Sequence, residues 1–171
     1  TWSPNSDAFV YPQGNCITVV DKNTAKVTQT TVWMDEELER SAWSPDGKWI
    51  ACSSRKRSFA LVSPDGSARK SIVCQGLDSR EFVWGPSGES LAVLVNGELS
   101  IMSLDGVIKK RYGKASAIGS WSSDGRYIAY ETRDTDQRRL WILHVSDGQA
   151  AEVGISGDCC IGAWKPRGEL L

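Results

Sequence analysis

Few side chains in this 171-residue chain are suited to chemistry. The only histidine, His144, lies in the run Leu140-Trp141-Ile142-Leu143-His144-Val145. Alternation along an extended run puts Trp141 and Leu143 on one face, and Leu140, Ile142 and His144 on the other. That setting suits a structural imidazole better than a proton carrier. The five cysteines are Cys16, Cys52, Cys74, Cys159 and Cys160. An odd number cannot pair fully within one chain, none forms a Cys-x-x-Cys, and no His stands near a Cys pair at metal-ligand spacing. Cys16, Cys52 and Cys74 sit in apolar, strand-like runs, where a thiol packs as a small buried hydrophobe. Cys159-Cys160 reads as a strand entering the core, with a vicinal redox pair as the alternative. Together they lean toward a reducing compartment. The Asp-Gly pairs lack the Asp-x-Asp-x-Asp-Gly spacing of a calcium loop, and each has a sufficient role as a turn. The sequence holds no Gly-x-Ser-x-Gly elbow and no Gly-x-x-x-x-Gly-Lys phosphate loop. We therefore expect no catalytic residue, no cofactor and no metal.

Charge narrows the partners. Twenty basic against 21 acidic residues give a formal charge of −1, which argues against a general electrostatic grip on nucleic acid. No apolar run approaches the ~18 residues that would span a bilayer, so membrane insertion is not expected. The chain opens on Thr1, inside a repeat, and reads as a processed or excised piece. The lack of a leader-like start thus says little about compartment.

The elements that must position any site repeat along the chain. Trp2, Trp43, Trp84, Trp121 and Trp164 each open a similar phrase, typified by Trp43-Ser44-Pro45-Asp46-Gly47, at intervals of 41, 41, 37 and 43 residues. A second series of turns, marked by Asp21, Asp65, Asp105 and Asp147, keeps the same period. A period near 40 means one supersecondary unit copied about four times, stacked to share a core. Each copy reads as four short strands. The second repeat predicts strands over 40–44, 48–53, 58–62 and 68–74, and the third over 81–84, 90–95, 98–103 and 107–112. The fourth predicts 118–121, 127–132, 140–145 and 150–155. The first is looser, at 8–11, 15–20 and 26–33. Asn96-Gly97 is a strong two-residue hairpin signal. Met34 to Arg40 is the one stretch that could coil into a helical turn or two. Four-stranded units of this length in series predict an all-β fold of β-propeller type, with about four antiparallel blades near 1–40, 41–80, 81–118 and 119–160.

The phrase Trp43-Ser44-Pro45-Asp46-Gly47-Lys48-Trp49-Ile50-Ala51 resembles the WD40-like "PD40" repeat of TolB-like propellers. Similar repeats occur in tricorn-type and prolyl-oligopeptidase-type propellers and in some translation-factor propellers. The resemblance spans almost the whole chain. It is specific for the blade and unspecific for the job. The turn Asp stands at Asp46 and Asp124, but Asn5, Ser87 and Arg167 replace it elsewhere. Family propellers commonly have six or more blades, so closure stays open among three arrangements. Residues 161–171 could close the first blade of a small ring, the chain could be part of a larger ring, or two chains could form one homodimeric ring.

The resemblance implies a non-catalytic protein–protein interaction scaffold. Two alternatives follow from the same family: the substrate-gating propeller of a peptidase, and a translation- or RNA-associated scaffold. It also implies the periplasm as an alternative compartment. The loops joining strands two and three, and those joining successive repeats, should project from one rim. There they would gather Arg55, Lys56, Arg57, Arg133, Asp134, Asp136, Arg138 and Arg139, with Asp35, Glu36, Glu37, Glu39, Asp78 and Arg80 on the same rim. Longer charged loops on a rigid scaffold are where a protein or peptide partner would meet it.

Overall fold

The computed structural model describes residues 1–32, 36–54, 56, 58–74, 76–134 and 137–154, except the side chains of Ser79 and Arg80. Its turns explain why the Ser-Pro-Asp-Gly phrase recurs. In Ser44-Pro45-Asp46-Gly47 the Gly47 N–H donates to the Ser44 carbonyl at 3.0 Å. Gly47 sits at φ +73°, a conformation glycine adopts without steric cost. The Ser44 hydroxyl donates to Asp46 Oδ1 at 2.7 Å and accepts from the Trp49 N–H at 2.9 Å. Asp46 Oδ1 also accepts from the Lys48 N–H at 3.1 Å. The pairs Ser63/Asp65 and Ser122/Asp124 repeat this clasp bond for bond. Ser3 and Asn5 form it with an amide in place of the carboxylate. The third repeat has Gly85 where the others have serine. A Cβ there would come within 2.8 Å of Ser90 Oγ, so a serine at this position would require the Ser90 side chain to shift.

Among the described residues the turns link fifteen strands in four antiparallel sheets. The first sheet holds β1 (Ala8–Gln13), β2 (Cys16–Asp21) and β3 (Val27–Thr31), and an isolated bridge from Trp2 to Phe9 stands in for its inner strand. The second orders β4 (Leu38–Trp43), β5 (Ile50–Ser54), β6 (Phe59–Val62) and β7 (Arg69–Ile72). The third orders β8 (Leu77–Trp84), β9 (Ser90–Val95), β10 (Glu98–Ser103) and β11 (Ile108–Lys114). The fourth orders β12 (Ala117–Trp121), β13 (Tyr127–Asp134), β14 (Gln137–His144) and β15 (Ala150–Val153). The clasp sets a common register. Trp2, Trp43, Trp84 and Trp121 each pair with the residue seven positions on, namely Phe9, Ile50, Leu91 and Ile128.

The sheets fall into two compact units, Thr1–Gln75 with Leu104–Gly106, and Gly76–Ser103 with Val107–Leu171. In the first unit Val10, Ile17 and Val19 pack with Ile50, Cys52, Ala60 and Val62. In the second, Ala92, Leu94, Leu99 and Ile101 pack with Ile118, Ile128 and Leu143. A sheet buried on both faces reads as a continuous apolar run, and Leu91 to Val95 is one.

Some expectations give way. The three inner strands β4, β8 and β12 begin earlier than the Trp phrases suggest, and each carries a register shift against its neighbour. The helical turn expected over Met34–Arg40 is absent at Leu38, Glu39 and Arg40, which belong to β4; Met34 and Asp35 lie outside the described residues. Leu38 is buried and pairs with Ser54, and that burial outweighs the weak helix preference of a short charged run. Cys52 is buried as expected, but Cys16 and Cys74 are only half-buried. Cys16 starts β2 beside a turn, and Cys74 lies past the end of β7. Cys159 and Cys160, like Trp164, lie outside the described residues. Trp2, the first of the tryptophan series, packs against the Phe9 ring but stays 57% exposed.

Candidate functional site

The strands of the fourth sheet differ in length, and that difference makes an arm. β13 and β14 pair from Tyr127↔His144 out to Asp134↔Gln137. β12 stops matching β13 at Glu131, opposite Ala117, and β15 stops matching β14 at Leu140, opposite Val153. Among the described residues Thr132–Asp134 and Gln137–Arg139 therefore overhang the sheet as a two-stranded hairpin. Here the structure brings together Arg133, Asp134, Arg138 and Arg139, four of the rim residues expected from sequence. Arg55, Arg57 and Asp136 lie outside the described residues. Lys56 is exposed in the β5–β6 connection, in the other unit. The acidic Glu36 is engaged within its own unit. It accepts from the Ser54 hydroxyl at 2.5 Å, and hydrogen bonds from Ser54 and Ser58 hold its carboxyl below the usual range.

Beside the arm is an open cleft of about 640 Å³, lined by Asn96, Gly97, Lys114, Ser116, Thr132, Arg133 and Asp134, among others. Its size falls in the roughly 300–1,000 Å³ range of ligand-holding clefts. Each wall has a local cause. Asn96 at φ +54° and Gly97 at φ +76° form the tight turn between β9 and β10. Ala115 donates its N–H to the Gly97 carbonyl at 2.9 Å, which fixes the chain leaving Lys114. Ser116 donates to the Glu131 carbonyl through its N–H at 2.8 Å and its hydroxyl at 3.2 Å. The Thr132 hydroxyl accepts from Trp141 Nε1 at 2.9 Å, which ties the arm's base to β14.

The charges on the arm are unevenly spent. Arg139 meets Glu152 at 3.8 Å. Arg133 and Arg138 stand directly opposite each other across the hairpin, and like charges in that position repel. Among the described residues neither arginine has an acidic partner, and neither Lys114 nor Asp134 has an ion-pair partner.

His144 has a carboxylate and a hydroxyl close by, as a relay would. Asp147 Oδ2 lies 2.8 Å from its Nδ1. Ser146 Oγ, however, sits 3.4 Å from Nδ1 and 3.5 Å from Nε2, beside the ring edge instead of in line with the far nitrogen. A relay needs the hydroxyl on the nitrogen that the carboxylate leaves free, at about 2.6–3.2 Å. All three residues belong to the β14 end and its turn, where Asp147 Oδ1 accepts from the Gln149 N–H at 2.9 Å. That bond and the His144 contact lower the Asp147 carboxyl pKa.

Sequence reasoning found the arm's charges but missed Lys114, Ser116 and Thr132 as one wall system. Only the register of β12 on β13 brings them together.

No protein-family model matches the chain, and no curated protein matches it. Solved structures do. A chain from Agrobacterium tumefaciens assigned as TolB superposes with a TM-score of 0.69 at 18% identity, over 91% of this chain and 61% of that one. The chain has a TolB-like β-propeller fold. It spans 61% of the length of that TolB chain. In all, 570 solved chains match, so the likeness fixes a fold that serves many functions.

Proposed function

We propose that the chain is a non-catalytic protein–protein interaction scaffold built from PD40-type repeats, and that its partner meets the charged arm and cleft of the fourth sheet. The observation that carries this reading is the β13–β14 overhang, a two-stranded arm with uncompensated arginines beside an open cleft. The arm grows from a sheet that is anchored at its other end, where Ile118, Ile128 and Leu143 pack into the second core. The residues best suited to catalysis support the same reading, since His144 and the turn aspartates are engaged in turn hydrogen bonds.

The test compares partner capture by the parent chain with two variants. One carries Arg133→Glu, Arg138→Glu and Arg139→Glu on the arm. The other carries Ser123→Glu at the exposed β12–β13 turn, at the opposite end of the same sheet. The proposal expects specific partners to be lost with the arm variant and kept with the turn variant. Equal loss from both, or retention by both, would overturn it.

A further inference from the structure

The backbone of the arm carries information beyond its charge. In a strand, successive residues turn their N–H and C=O groups to opposite edges. The Glu131 carbonyl accepts from Ser116, so Glu131 faces the β12 edge. Arg133, two residues on, faces the same way. Among the described residues no strand stands opposite it there, since β12 ends its pairing at Glu131. Arg133 therefore presents an N–H and a C=O, unpaired among the described residues, to the cleft lined by Lys114, Ser116 and Asp134. Exposed strand edges of this kind are templates for another extended chain.

We propose that this cleft takes an acidic polypeptide segment in extended form, added as a short strand along the Arg133 edge. The inference rests on the arm being the partner site, and names the partner's chemistry. Charge selects for acid. Lys114 and Arg133 line the cleft and Arg138 stands opposite Arg133, all three without ion pairs among the described residues, and Asp134 is the one anion among the described residues lining the cleft. An incoming strand alternates its side chains between two faces. One set meets the Arg133–Arg138 pair, where a carboxylate relieves the repulsion between the guanidiniums. The other set meets Lys114 and Asp134, which together are near neutral and tolerate a small polar residue.

The geometry supplies a clean test. Arg133 makes no ladder bond to β14 through its own N–H, because that N–H faces the cleft. Arg133→Pro removes the cleft-facing donor while leaving the β13–β14 ladder its bonds. Arg133→Gln removes only the charge. The probe is a labelled peptide of alternating glutamate and threonine, titrated against the whole chain at low salt by fluorescence anisotropy. Arg133→Gln should weaken binding several-fold, and Arg133→Pro by at least tenfold more. N-methylation of the peptide backbone, or lysine in place of glutamate, should abolish it. Equal binding of the N-methylated peptide, or of the proline variant and the glutamine variant, would overturn strand addition while leaving the arm as a charged partner site. Failure of the unmodified acidic peptide to bind would also overturn it. Partner capture lost with the arm variant, without binding of the acidic peptide, would keep the scaffold reading and overturn this one, whereas partner capture indifferent to the arm variant would overturn both.

Discussion

The Ser122 hydroxyl donates to Asp124 Oδ1 at 2.6 Å while accepting the Tyr127 N–H at 2.9 Å. This side-chain clasp closes the turn between the inner strand and its neighbour. It also fixes a charge state: the Ser122 hydroxyl, then the Arg126 N–H and side chain, hold the Asp124 carboxyl at about 2, from an ordinary 3.8. The Ser63 and Ser67 hydroxyls and the Ser67 N–H do the same for Asp65, also at about 2. A carboxyl depressed in the folded state contributes stability that is present above its unfolded pKa and lost as pH falls through the folded value. The window is therefore about pH 4 down to about pH 2. The double variant Asp65→Asn, Asp124→Asn should unfold at a denaturant midpoint that varies less across that window than the parent's. A parallel pair of curves would mean the clasps contribute nothing to acid sensitivity.

Gly66 sits at φ +74°, and a Cβ there would overlap the Thr30 hydroxyl of β3. Two costs thus add in Gly66→Ala. The left-handed conformation costs a non-glycine residue roughly 1–2 kcal/mol, and the overlap adds to it. Thr30→Ala in the same chain should remove only the overlap. The double variant is expected to recover part of the loss and keep about 1 kcal/mol of it, measured by urea denaturation. Full recovery would show that backbone strain is negligible at this turn.

The sequence tells these parts of the molecule unequally. β9 and β10 have the ends expected of them because Asn96-Gly97 leaves only one way to turn, and Leu91 to Val95 reads plainly as a strand buried on both faces. Leu38 is harder to place, since a leucine among Glu36, Glu37, Glu39 and Arg40 carries local helix preference, and its pairing with Ser54 is a tertiary fact. The arginines of the arm are visible in the sequence as a charged loop. The cleft is not. Lys114 closes one strand and Thr132 lies in another, and only the Ser116–Glu131 hydrogen bonds bring the two together.

Tyr112 and Lys110 both donate to the Val145 carbonyl, at 2.9 and 3.0 Å, and Lys110 Nζ also lies 5.0 Å from the Tyr112 ring centroid. They pin β11 to the end of the fourth sheet. Tyr112→Phe should cost about 1 kcal/mol, the typical net worth of one hydrogen bond. Because the acceptor is shared, Lys110→Met should cost more in the Tyr112→Phe background than alone. A double-mutant cycle with no coupling would mean that the two contacts act independently.

Trp121 packs beside Gly85 in the second core, yet its indole N–H is buried with no hydrogen-bond partner among the described residues. An unpaired buried donor costs about 1–3 kcal/mol, which offsets part of what the ring contributes. Trp121→Ala should destabilise by about 2–4 kcal/mol, below the usual cost for a fully buried aromatic because this ring is only partly covered. Trp121→Phe keeps most of the apolar contact and deletes the orphan donor, so its cost should be far smaller. Equal costs would mean that the N–H does have a partner in solution.

Cys52 and Cys16 should differ in reactivity. Cys52 is buried in the first core, and burial pushes its thiol pKa up to about 12. Cys16 is half-buried at the start of β2, its sulfur 3.3 Å from Asn15 Oδ1 and 3.4 Å from Thr31 Oγ1. The thiolate is the reactive form, so a buried thiol with a raised pKa is protected twice over. Iodoacetamide at about pH 8, near the ordinary thiol pKa, should modify Cys16 in the folded protein and leave Cys52 untouched until denaturant is added, as read by peptide mass spectrometry. Modification of Cys52 at the rate of Cys16 would show that the first core opens on the timescale of the labelling, and that the packing of Ile50, Cys52 and Val62 is far weaker than their burial implies.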